Sequence, residues 1–121
     1  MLIRNIADVS HEPMDVPGAD GVKMSIMAGR ADQAPNFAMR HIVIDAGGHS
    51  PRHSHDYEHE VYVVDGGGTV LLEGGERAIR RGDVVFVPPD EEHQFRAGQD
   101  GLSFLCLVPV TRDCGECTPG S

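Results

Sequence analysis

From Val22 onward, apolar and polar residues alternate in short runs, and residues that favour turns punctuate them. Alternation with period two marks a strand with one face buried and the other wet. The pattern predicts strands over Val22–Met27, Phe37–Ile44, His59–Asp65, Thr69–Glu73, Glu76–Ile79, Val84–Val87, His93–Ala97 and Leu102–Val108. Asp65-Gly66-Gly67-Gly68 and Glu73-Gly74-Gly75 supply the positive φ angles of tight hairpins, and Arg81-Gly82-Asp83 and Pro88-Pro89-Asp90 mark two further corners. No window long enough to be a helix carries a helical stripe. Short strands at close spacing without intervening helices predict an all-β, antiparallel sandwich or barrel. Residues 1–21, with Pro13, Pro17 and Gly18, read as an N-terminal arm, residues 22–110 as the barrel, and residues 111–121 as a tail.

Composition narrows the partners. A chain of 121 residues suffices for one domain, and its net charge of −9 argues against nucleic acid or an anionic membrane. No apolar run approaches the ~18 residues of a membrane span. Residues 1–9 are too polar for a signal peptide, so a cytoplasmic protein is expected. Cys106 lies in an apolar run and reads as buried. Cys114 and Cys117 form a Cys-x-x-Cys pair in the tail, read as reduced and inert, with a zinc clip across a dimer or redox use as alternatives.

The chain has seven histidines, and four fall at informative spacings. His53 and His55 stand two apart, so on a strand their rings would share a face and converge on one ion. A third ligand then requires a bend at Asp56-Tyr57-Glu58. His59, Val61 and Val63 form one face of the next strand, and Glu60, Tyr62 and Val64 the other. The first suits a barrel interior and the second a wet surface, so His59 is favoured as ligand and Glu60 is the alternative. His93 shares a face with Phe95 and Ala97 and points with the apolar set. His11 in the arm, His49 in a turn and His41 in a strand, the last placed at a subunit contact, read as structural.

Gly47, His53, His55, His59 and Gly66 stand at spacings that resemble the first cupin motif, and Gly82, Pro88 and His93 resemble the second. Residues 36–40, 53–55, 58–60 and 104–107 look like the small single-domain cupins that bind manganese through four histidines. The resemblance implies a single-domain cupin, a double-stranded β-helix or jelly-roll barrel. It also implies one divalent metal per chain on His53, His55, His59 and His93, with Mn(II) favoured. Imidazole ligands alone would equally admit Fe, Ni, Cu or Zn. Asp90 and Ala97 depart from the second motif, where Gly and Asn are usual.

Four neutral ligands leave a divalent ion its full charge and, in an octahedron, two open positions. A small anionic ligand is therefore expected. Phe104, Cys106 and Val108 share a face and are expected to line the pocket, with Arg40 as candidate anion partner. The function read from these residues is a metal-dependent, dioxygenase-like oxidoreductase of a small oxyanion, diol or enolate. The alternatives are a decarboxylase or lyase of a small dicarboxylate, with Asp56 or Glu58 as acid/base, and a non-catalytic metal or metabolite-binding module. A homodimer is expected, the arm adding a strand to a neighbour's edge.

Overall fold

The computed structural model describes residues 1–112, so Cys114 and Cys117 lie outside the described residues. Among the described residues there are seven strands: β1 (Glu12–Pro13), β2 (Asp20–Ala28), β3 (Phe37–His49), β4 (His59–Leu72), β5 (Gly75–Arg80), β6 (Val84–Val87) and β7 (Gln94–Pro109). Every pairing is antiparallel, in the order β1-β2-β3-β7-β4-β5, with β6 on the free side of β4. Three 3-10 turns, Ile6–Asp8, Arg30–Asp32 and Val110–Arg112, complete the secondary structure. The all-β expectation holds.

The strands are fewer and longer than predicted. The expected hairpin at residues 65–68 is a bend inside β4, and the expected strands 93–97 and 102–108 are two arms of β7. The reason is close packing of backbone on backbone. Gly66 has φ +73°, and a Cβ there would overlap the Gly101 carbonyl oxygen; a Cβ on Gly68 would overlap that of Arg96. The β4–β7 register shifts at these glycines, between Val63 and Asp65 and again between Gly66 and Gly68. As a result β7 pairs with β4 on both sides of the bend, Phe104 opposite Val63 and Phe95 opposite Val70. Bent strands that stay paired through the bend roll the sheet into a barrel. Glu73 and Gly74 do form the tight turn that the sequence predicts, between Leu72 of β4 and Gly75 of β5.

Alternation sorts the side chains as expected. Ala38, Ile42 and Ile44 of β3, Val61 and Val63 of β4, and Leu102, Phe104, Cys106 and Val108 of β7 fill the interior. Arg40, His59 and His93 are buried with them. The arm docks on its own barrel, where β1 pairs with Lys23 and Met24 of β2. His41 faces the opposite side of β3 from Arg40. Its Nδ1 lies 2.7 Å from His11 Nε2 and its Nε2 lies 2.7 Å from Ser103 Oγ, so the buried ring is covered by the chain's own arm.

Candidate metal centre

The four histidines reach the barrel mouth by three backbone devices. His53 and His93 face each other across an isolated antiparallel bridge, with His53 N to His93 O at 3.1 Å and the reciprocal bond at 2.9 Å. His59 opens β4, opposite Val87 of β6. His55 sits in the loop between, where its carbonyl accepts from the Asp90 amide. Asp90 has φ +69°, the left-handed conformation that Asp tolerates and Gly usually supplies. The backbone at His53 and His55 is thus a bridge followed by a loop and not a strand sharing one face, and the loop brings their ring centroids to 4.1 Å.

One nitrogen from each of His53, His55 and His93 lies within 4.8 Å of the others, which makes a group able to hold a metal ion. The ring of His59 is 5.0 Å from His93 and 5.2 Å from His55, centroid to centroid. Its buried Nε2 has no hydrogen-bond partner. A buried imidazole nitrogen without a partner is costly, and a cation at that spot would satisfy it. Glu60 is exposed on the opposite face of β4. The donor set fits a divalent ion.

The protonation states agree. Burial, then the charges of His93 and Arg40, hold His55 down to about 4. Burial, then Arg40, holds His59 down to about 2. Both rings are neutral at pH 7, with a lone pair to offer. His93 Nδ1 donates to the Glu91 carbonyl oxygen at 3.0 Å, which leaves Nε2 as its lone-pair nitrogen. His59 Nδ1 lies 3.3 Å from Cys106 Sγ.

These rings line a cavity of about 50 Å³, walled also by Arg40, Ile42, Phe95, Phe104 and Cys106. That is room for roughly three to five waters. Arg40 is 4% exposed, donates from Nη2 to Cys106 Sγ at 3.2 Å, and has no partner for Nε. Among the described residues no carboxylate pairs with it. The sequence-predicted residues Arg40, Phe104 and Cys106 thus meet the histidines in one cavity. Val108 does not: although buried, it borders an outer groove with Phe37 and Glu60, because β7 carries it past the barrel mouth. Sequence reasoning missed Met14, Ser50 and Pro51, which also line the cavity. Only the fold brings the arm and the 50–51 corner there. Tyr57, read only as part of a bend, stacks on His55.

Similarity to known proteins agrees with this picture. Residues 40–108 match the cupin domain. The chain is 36% identical over 76 residues to 1-methylthio-D-xylulose 5-phosphate methylsulfurylase of Rhodospirillum rubrum, a match covering 62% of this chain and 49% of that protein. It thus spans about half the length of that relative. The polyketide cyclase RemF of Streptomyces resistomycificus superposes with a TM-score of 0.85 at 28% identity, covering 91% of this chain and 80% of that one. A cupin 2 conserved barrel protein of Rhodopseudomonas palustris superposes with a TM-score of 0.76 at 29% identity, covering 84% and 72%. With the motifs, the barrel and a match over more than half its length, the chain belongs to the cupin domain family.

Proposed function

We propose that this cupin is a metal-dependent oxidoreductase, dioxygenase-like, acting on a small oxyanion, diol or enolate. One observation carries the reading: three converging imidazoles and the orphaned Nε2 of His59 share a small cavity with a buried guanidinium that lacks an acidic partner among the described residues. His53, His55, His59 and His93 would hold the ion, with Mn(II) favoured. Such an ion supplies Lewis acidity and, for manganese or iron, redox capacity. Arg40 attracts an anionic oxygen and orients it by charge-assisted hydrogen bonds. Ile42, Phe95 and Phe104 exclude water and strengthen that attraction.

Among the described residues no Asp or Glu lines the cavity. Asp56 is exposed and paired with Arg112, and Glu58 faces the outer groove. Neither described carboxylate is set inside the cavity as the acid/base group a lyase needs, whereas oxidation of a bound enolate does not require a carboxylate base. The likeness to a polyketide cyclase favours redox-neutral Lewis-acid chemistry as the second reading. A panel of enolates and diols offered to the Mn(II)-loaded protein in an oxygen electrode separates them. Oxygen uptake that chelation abolishes supports the oxidoreductase, and turnover under argon supports the second reading. Tight binding without turnover would make the protein a binding module. A homodimer belongs to the proposal, supported by exposed Tyr62, Val84 and Phe86 on one outer face. Light scattering at the monomer mass would reject it.

A further inference from the structure

We infer that Tyr57 and Arg112 form a latch that positions His55 and so sets the affinity of the centre for its metal; this rests on the metal reading proposed above. The four imidazoles are not held alike. His53 and His93 are locked by their mutual bridge, and His59 by the β4–β6 ladder. His55 hangs from a loop, and its χ angles are not set by a strand. Its Nε2 lies 3.1 Å from His53 Nε2, and one face of its ring is covered by Tyr57, whose ring lies parallel to it at 10° with centroids 4.7 Å apart.

Tyr57 is itself fixed. It is 8% exposed, and it also meets the His59 ring at 5.3 Å and the Arg112 guanidinium, 5.4 Å from its centroid. Arg112 is tied back to the same loop by an ion pair with Asp56 at 3.6 Å. The result is a layered stack of cation, phenol ring and imidazole. It joins the 3-10 turn that follows β7 to a ligand-bearing loop nearly the whole barrel away in sequence. A cation over the ring face adds a modest attraction. Stacking removes rotamer freedom that His55 would otherwise lose on binding the ion, so the ligand is pre-organised. Residues of this kind touch neither metal nor substrate. They are positioning residues, and removing them should weaken metal binding while leaving the ligand count unchanged.

The test uses the full chain and two readouts. In the metal-free protein, the ring-proton NMR shifts of His55 report the stack through the Tyr57 ring current. In equilibrium dialysis against Mn(II), affinity reports its consequence. Arg112→Ala should weaken Mn(II) binding about two- to fivefold, the factor equivalent to an exposed cation–π contact. Tyr57→Leu should weaken it about tenfold or more and abolish the His55 ring-current shift. Tyr57→Phe, which keeps the ring, should match the wild type in both. If Tyr57→Leu fails to fold, Arg112→Ala still decides, since Arg112 is half-buried beside the end of the barrel and not part of its core. Wild-type protein that binds no Mn(II) would overturn the metal reading, while the NMR arm still tests the stack. Wild-type binding with unchanged affinity in Arg112→Ala would overturn the latch, as would a loss in Tyr57→Phe equal to that in Tyr57→Leu.

Discussion

Replacing Arg40 by Met should stabilise the metal-free protein and weaken its hold on anions. The guanidinium has five N–H donors in a site 4% exposed, and the bond to Cys106 Sγ, a weak acceptor, is the only one it makes among the described residues. Nε is buried without a partner, and among the described residues no carboxylate balances the charge. An uncompensated buried ion carries a penalty of several kcal/mol, and apolar replacement of buried ionic groups has stabilised proteins by about 1–4 kcal/mol. Met fills much of the same volume and packs on Ile42 and Phe104, which share the cavity wall. For a domain of this size the gain corresponds to a rise in Tm of at least about 3 °C. The anion should suffer in return. A hydrogen bond to a charged group contributes about 1.5–3 kcal/mol, so oxalate or a 2-oxo acid should bind the Mn(II)-loaded variant about 10- to 150-fold more weakly. Urea unfolding of metal-free protein in anion-poor buffer measures the first effect, and calorimetry on the loaded protein the second. A metal-free Arg40→Met less stable than wild type would show that the charge is already compensated. Unchanged oxalate affinity would remove Arg40 from the ligand site.

Alanine at His53 or His93 should lower bound metal sharply, and so should His59→Ala. Glu60→Ala should leave it unchanged, since Glu60 is exposed on the outer face; metal analysis of purified variants checks all four, and loss in Glu60→Ala alone would exchange the two roles. Metal-free stability should be full above about pH 6.5, the ordinary histidine value, and fall below it. The folded values of His41, His55 and His59 are all lowered, chiefly by burial, so the unfolded chain binds more protons as pH falls from 6.5 toward the value of about 4 at His55. Urea midpoints that stay flat from pH 7 to 4.5 would refute this. Gly68→Val should abolish soluble folded protein, because its Cβ would overlap the Arg96 carbonyl oxygen; circular dichroism of any soluble fraction decides it.

The alternation of apolar and polar residues was enough to establish an all-β chain, because burial of one sheet face imposes period two whatever the topology. It also placed His59 inside and Glu60 outside, and Phe104 and Cys106 on the inner face. The histidine and glycine spacings were legible too, since side chains gathered from a bridge, a loop and the start of a strand leave fixed gaps in the sequence. What no local pattern holds is the direction of the chain at a glycine. Gly66-Gly67-Gly68 can turn a hairpin or bend a continuing strand, and the choice is made by the Gly101 and Arg96 carbonyls that press against them from β7. That choice merged the predicted strands and brought Phe95 beside Phe104, with ring centroids 4.8 Å apart. The inward aim of Arg40 was likewise settled by its neighbours in register, Ile26 on β2 and Cys106 on β7. Arg112 and Tyr57 meet for the same reason: contacts between residues distant in sequence are made by closing the barrel, and the barrel closes only when every strand has found its partner.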